Sequence, residues 1–407
     1  MDWTSFWASY GVAAKTAVGF FWKAGWAFVL GYAVSAMIQA FVPKKRLTRF
    51  MGGSDVKSIL LATGFGAASS SCSFAALAAA RSLVMKGAHF VAAVAFMFAS
   101  TNLVIELGIL ILIFLGWPFL AAEIVGGLVL ITVSSILIRI TYPERWLQEA
   151  RSKVEEESPD EEPDFDWRER IVSRKGWLMV GNHFVSDWLM VWEEIIIGFT
   201  IAGFVAVLVP TGVWEALFLL GDGQAAAGWV VALENAVVAP FVAAATFIGS
   251  MGNIPLATVL NANGVLFAGI MGFIYSDLMV PPLVMVNAKY YGWRVAIYIA
   301  VIMFVSIVIT ALSMHVAFGL LGWTPESGRQ VGDVAQFALD YTFYMNLAFG
   351  AVAVVMIRLH RKWKVGEDTE PTGDHDHGGG FTLKRAAALV AAAILLVGLV
   401  AYVISGP

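Results

Sequence analysis

The chain alternates between long apolar runs and short polar ones. Apolar stretches cover roughly 11–42, 58–80, 88–115, 118–141, 191–221, 228–250, 265–288, 293–322, 336–357 and 386–404. A run of about 18 or more apolar residues has the length that crosses a bilayer as a helix. Two polar stretches interrupt the series. Residues 142–190 carry the acidic run Glu155, Glu156 and Glu157, a Pro- and Asp/Glu-rich stretch, and then Arg168, Arg170, Arg174 and Lys175. This reads as a solvated linker. Residues 358–385 hold Pro371, His375, His377 and three consecutive glycines. The pattern predicts an all-α integral membrane protein. It divides into a first membrane half over 1–141, a charged linker over 142–190, a second half over 191–322, and two further transmembrane helices over 323–407 with a loop at 358–385.

Charge orients the spans. Lys and Arg concentrate in cytoplasmic loops, and three loops are rich in them: 44–57, the 142–190 linker and 358–385. Three full crossings between the first two would put them on opposite sides, so one segment in each half must return to its own side. The runs break at Ser69, Ser70, Ser71, Cys72 and Ser73, and again at Gly249, Ser250, Met251, Gly252, Asn253, Ile254 and Pro255. Broken backbone at membrane depth survives only inside protein or beside a watery cavity. The expectation is therefore two re-entrant hairpins, at about 58–86 and 236–263, and about eight crossing helices with both termini outside. All but three of the 26 Lys and Arg (Lys15, Lys23 and Arg329) then lie inside. An interfacial helix over 3–22 is the alternative for the N-terminus, which is rich in Trp and Phe.

Composition narrows the class. Of 407 residues, 59% are hydrophobic and 14% charged, against about 25% charged in soluble domains. A net charge of −4 with no basic stripe excludes nucleic acid as a partner. The partners expected are the lipid bilayer and a small-molecule or ion substrate. Cys72 is the one cysteine, so no intramolecular disulfide can form.

The halves resemble each other. Lys86-Gly87 sits like Asn263-Gly264, Phe96 to Ser100 like Phe273 to Asp277, and Gly116-Trp117 like Gly292-Trp293. With the charge pattern, this predicts an inverted repeat, as in many secondary transporters, with substrate near the midplane where broken helices meet.

The stretches Ser69-Ser70-Ser71-Cys72-Ser73, Lys86-Gly87-Ala88, Phe98 to Gly108 and Gly252-Asn253-Ile254-Pro255-Leu256-Ala257 resemble a family of bacterial and archaeal permeases of predicted function, which includes the trivalent organoarsenical efflux permeases. The resemblance covers most of 50–320. It implies a cytoplasmic-membrane permease, often one associated with export of soft metals or metalloids. Thiol-seeking cargo favours thiolate ligands, and this chain has one thiol, so the arsenical activity is not carried over.

Candidate substrate ligands are Ser69, Ser70, Ser71, Cys72 and Ser73 at the first break and Ser250 and Asn253 at the second. Hydroxyls and free N–H groups at a half-helix start can hold an anion or soft ion; small residues there also let helices pack closely. Pro255 suits a helix start. Asn102 and Glu106 share a helix face four residues apart, and Asp277 holds the related position in the second half. Ionisable groups inside spans mark substrate or proton pathways, so Glu106, Asp277 and Glu234 are the proton-coupling candidates. Glu106 could instead pair with Arg81 or Lys86. Glu193 and Glu194 read as solvated helix ends, and His315 as a hydrogen-bonded structural residue. His375, Asp376 and His377 form a weak metal motif. No phosphate-binding loop is present, so no cofactor is expected and transport would draw on an ion gradient. The function expected is a gradient-driven exporter of a metalloid, soft metal complex or small anion. A channel, a non-transporting scaffold, and an intramembrane serine enzyme using Ser70 and His315 are the alternatives.

Overall fold

The structure is a computed structural model. It describes residues 3–41, 53, 55–69, 73–85, 88–141, 167–220, 228–246, 248–325, 331–335, 337–367 and 383–405. Every regular element among them is helical. Seven helices are long and apolar enough to cross a membrane, and a bent pair raises the number to eight. The protein is an all-α integral membrane protein.

The described helices group into two compact units. The first draws on three distant stretches: α1 (Trp3–Phe41), α8 (Arg174–Leu208) with the short α7 (Trp167–Val172) before it, and α16 (Tyr341–Glu367) with α17 (Leu383–Ser405). Helix α1 packs on α8, α16 and α17. Small residues make this possible, because hydrocarbon drives no apolar association and close backbone approach takes its place. A side-chain carbon on Gly203 would lie 2.5 Å from Ala17 Cβ, and one on Gly11 would lie 2.8 Å from the Tyr402 backbone. Polar pairs add direction. Lys384 meets Glu194 at 2.6 Å, Gln39 donates to Asp187 at 2.7 Å, and Asn346 bridges the Trp22 carbonyl and the Trp26 N–H.

Several expectations shift here. Residues 3–22 form no separate interfacial helix; they continue into one 39-residue helix. The linker gives way to helix at Arg174, well before 190, because Gly176, Val180, Phe184, Asp187 and Val191 form a buried stripe at helical spacing beneath a charged start. Glu194 is not a solvated end: it is buried and paired. Lys15 and Lys23, two of the three charge exceptions, are satisfied on α1 by Tyr402 and by Asp340.

The second unit holds the elements between. Helices α2 (Val56–Ser69) and α3 (Ser73–Met85) are each too short to span. Then come α4 (Phe90–Asn102) and α5 (Ile105–Phe114), bent by 42° at their break, and α6 (Trp117–Thr141). The short α9 (Thr211–Leu217) leads to α10 (Gly228–Thr246) and α11 (Ser250–Ala262). Helix α12 (Phe267–Ile274), a 3-10 turn at Asp277–Met279, α13 (Pro281–Tyr291) and α14 (Trp293–Leu321) complete it. Beyond lies the four-residue α15 (Val331–Val334).

Three corrections belong to this unit. The crossing helix expected over 265–288 is two short helices separated by the 3-10 turn, with Pro281 and Pro282 at the start of the second, where a missing N–H costs nothing. Helix α10 begins at Gly228, ahead of the 236 expected for a hairpin, and alone is long enough to cross. Pro255 does not start α11. It sits inside it, and the helix begins at Ser250.

The packing is reciprocal. Helix α2 packs on α4 as α10 packs on α12, α4 on α6 as α12 on α14, and α5 on α6 as α13 on α14. Helix α3 reaches across to α13, and α11 reaches back to α5. Helices α6 and α14 meet along their lengths. Trp117 touches Trp323, Gly126 lies against Met314, and Thr141 bonds Tyr298. Rising numbers on one meet falling numbers on the other, so the two run antiparallel. Gly116 and Gly292, each just before one of these helices, take positive φ of 101° and 84°, a conformation that costs glycine little.

Candidate functional site

Helix α6 carries a notch. Glu123, Gly126 and Gly127 are three and four residues apart, so they share one face. Both glycines are filled from outside. A side-chain carbon on Gly126 would collide with the Tyr275 hydroxyl and lie 3.2 Å from Met314 Cγ. One on Gly127 would lie 3.2 Å from Leu103 Cγ and 3.9 Å from Asn102 Cβ. Tyr275 also donates a 2.7 Å hydrogen bond to the Ala122 carbonyl. The break between α4 and α5 and the break after α12 therefore both meet α6 within about one turn of Glu123.

The polar groups gathered there are almost wholly buried. Asn102, Glu123, Tyr275 and Asp277 are at most 2% exposed. Asp277 reaches Ser73 at 3.5 Å, which links the 3-10 turn to the start of α3. Glu123 lies within electrostatic reach of Asp277 and Tyr275. Among the described residues neither Glu123 oxygen has a hydrogen-bond donor. The Asn102 amide donates to Phe98 and Thr101, and its Oδ1 has no partner among the described residues. On α14, Thr310 sits one turn from Met314, and its hydroxyl is likewise buried and without a partner among the described residues, as is that of Ser306. A buried polar atom left unpaired costs about 1–3 kcal/mol, so this concentration marks a place built for something other than packing.

Of the residues singled out in the sequence, Ser73, Asn102 and Asp277 come to this region. Glu106 is buried in the first turn of α5, where unpaired N–H groups and the helix dipole favour a carboxylate. Asn253 is committed to its own turn: Thr246 donates to its Oδ1 at 3.2 Å and its Nδ2 donates to Ile248 at 3.3 Å. Ser250 opens α11 and is buried. Ser69 donates to Gly66 at 2.9 Å. Glu234 is half-buried and accepts from Asn235, which in turn holds Phe218 and Leu266. Ser70, Ser71, Cys72, and the His375, Asp376 and His377 motif lie outside the described residues. Among the described residues no three His, Cys, Asp or Glu side chains converge as a metal site. Sequence reasoning missed Glu123. Its signal was present: a carboxylate six residues into an apolar run, followed by two glycines on its own face.

Reciprocal packing of broken helices around buried polar groups, in an apolar helical chain, defines a membrane permease by class. The chain belongs to the family described as "Predicted permease", whose match covers residues 10–316. It is 35% identical over 329 residues to a protein of Mycobacterium tuberculosis named "Putative permease Rv2963", covering 78% of this chain and 79% of the relative. No solved structure matches.

Proposed function

We propose that the protein is a gradient-driven exporter of a small solute, such as a metalloid, a soft metal complex or a small anion. It sits in the cytoplasmic membrane of a prokaryote, with the 142–190 region inside, and works by alternating access. Its two halves are an inverted repeat. The observation that carries this reading is the exchange of contacts between equivalents, α3 on α13 and α11 on α5, about an antiparallel α6–α14 seam. Two related helices in antiparallel contact imply a two-fold axis across them, the geometry of an inverted repeat. Substrate then binds near Ser73, Asn102, Glu106 and Asp277, with Ser69, Ser70, Ser71 and Cys72 beside the first break and Ser250 and Asn253 at the second. Glu106, Asp277 and Glu234 are candidates for coupling the flux to protons.

The test uses Cys72, the one thiol. Sealed vesicles are labelled with a membrane-impermeant thiol reagent from each side in turn, with and without arsenite, antimonite or phosphate. Labelling from a single side, blocked by one of these solutes, is the expected result. Absence of labelling from both sides, together with no gradient-dependent flux of any of these solutes, overturns the reading. Flux that runs only downhill and ignores the gradient identifies a channel instead.

A further inference from the structure

Helices α3, α4, α13 and α14 enclose a narrow cavity with room for about one water-sized group. Its walls are apolar apart from Asn287, Tyr291 and the thioether of Met97. Asn287 and Tyr291 stand four apart on α13, so both lie on one face of that helix. They are 2% and 9% exposed. Each offers N–H or O–H donors. Arg81 follows Ala80, a wall residue, on α3. Its guanidinium lies 4.5 Å over the Tyr290 ring and within electrostatic reach of the Tyr291 hydroxyl. The four helices carry Arg81, Lys289 and Arg294 and no Asp or Glu. Asp277, just ahead of α13, reaches Ser73 at the start of α3, eight residues before Arg81. Among the described residues the wall holds no Asp, Glu, Cys or His. A metal cation would find no anionic ligand there, whereas an anion would find donors beside a guanidinium. Basic loops orient any membrane protein, but they do not place an amide and a phenol on the wall of a buried cavity.

We propose that Asn287 and Tyr291 form a subsite for one small inorganic anion, a halide or one oxygen of an oxyanion, on the path of the cargo. The amide N–H and the phenol O–H donate to the anion. The Arg81 guanidinium, seated on the Tyr290 ring beside the wall, supplies the positive field that offsets its charge. This deepens the reading of the protein as a permease: of the cargo classes named above, it selects the small anion, and it rests on that reading for the anion's being cargo. Helices α3 and α13 come from the two halves and touch each other, so exchange of the halves would open and close the subsite.

Purified full-length protein in nanodiscs of zwitterionic lipid tests this. Its melting temperature is followed against sodium chloride, sodium phosphate and sodium sulfate at constant ionic strength, with sodium gluconate as the control. At least one of the three anions should stabilise the protein saturably above gluconate. Tyr291→Phe keeps the ring and its contacts with Phe90 and Tyr290, and it should weaken the apparent affinity about tenfold, the effect of losing one hydrogen bond to a charged group. Asn287→Leu should weaken it at least as much, and where that variant does not fold, Tyr291→Phe decides alone. No anion effect above gluconate, or an equal effect in the wild type and Tyr291→Phe, overturns the subsite. Nanodiscs containing phosphatidylglycerol separate a lipid headgroup from a free anion. An anion effect that persists in them supports the subsite as a cargo site, whereas its loss assigns the donors to a headgroup and overturns the cargo role. Gradient-dependent flux of arsenite with no anion binding overturns the subsite and leaves the permease reading standing. Anion binding that Tyr291→Phe weakens, in a protein that moves no solute, overturns the permease reading and leaves the subsite standing.

Discussion

Glu194 takes its carboxylate almost out of solvent, and Lys384 meets it at 2.6 Å from the other side of the α8–α17 contact. Breaking a buried pair from one side leaves an uncompensated charge. Lys384→Ala should therefore cost about 3 kcal/mol, the lower end for such pairs because Lys384 keeps a third of its surface in solvent. Chemical melting in detergent checks this, and Lys384→Ala with Glu194→Ala together should recover most of the loss. Asp340 is the exposed counterpart. Partial burial would raise its pKa, but the Lys23 ammonium and hydrogen bonds from Thr342 outweigh that and hold it below the usual carboxylate range. A lowered carboxylate stabilises the fold above its unfolded pKa, and the contribution fades as pH falls. The melting temperature should drop on acidification below about pH 4, and less steeply in Asp340→Asn. These roles were only half legible in the sequence. Glu194 beside Trp192 read as an interfacial end because its partner lies 190 residues away. Nothing local to Asn253 shows that Thr246 and Ile248 hydrogen-bond its amide.

At the scale of elements, glycine spacing decides which helices can touch. Gly64 and Gly66 lie two apart on α2 and face different surroundings. A side-chain carbon on Gly66 would sit 2.5 Å from the Phe96 carbonyl and 2.7 Å from Ala99 Cβ, whereas one on Gly64 meets nothing within 4 Å. Gly66→Ala should destabilise by about 1–3 kcal/mol, because two helix backbones must separate. Gly64→Ala should be neutral or stabilise by up to about 1 kcal/mol through helix propensity. Paired thermal melts of the two variants make the comparison. Three helices were read well from apolar run length: α6, α14 and α17 stand where the runs do, because length and apolarity alone fix a spanning helix, whereas α1 begins before its run and α16 continues past 357 into the stretch expected as a loop. Breaks were read well where serine or glycine clustered, and missed at 275–280, where an apolar surround hid the paired prolines. The bend between α4 and α5 was also missed, since Leu103 and Val104 give no compositional mark.

At the scale of the whole molecule, helices α16 and α17 lie beyond the region matched by the family, yet both pack on α1 and α8. Gly398 of α17 sits against Ala14, and Gly181 of α8 against Leu359. Truncation after residue 325 should therefore prevent recovery of a monodisperse protein, rather than leave a stable one with altered flux. Size-exclusion chromatography of the truncated chain gives the answer, and a well-folded truncated protein would show the two helices to be accessory. That the grouping of α1 and α8 with the C-terminal helices went unread has a simple cause. Side preference is written in each loop, whereas contacts between remote helices depend on shape.

The first unit also sets a timetable. Tyr10 bonds Ile394, and Lys15 bonds Tyr402 across 387 positions. A ribosome adding about 5–20 residues per second needs roughly 20 to 80 s to make the second partner after the first. For that interval α1 stands in the bilayer with Lys15 and the side that α17 covers still open. Residues 44–333 are complete before α17 is made, so the second unit can close first. A cell that must bring α1 safely through that wait has reason to shield it, and the insertion machinery or a chaperone within the membrane is where such a shield would be found.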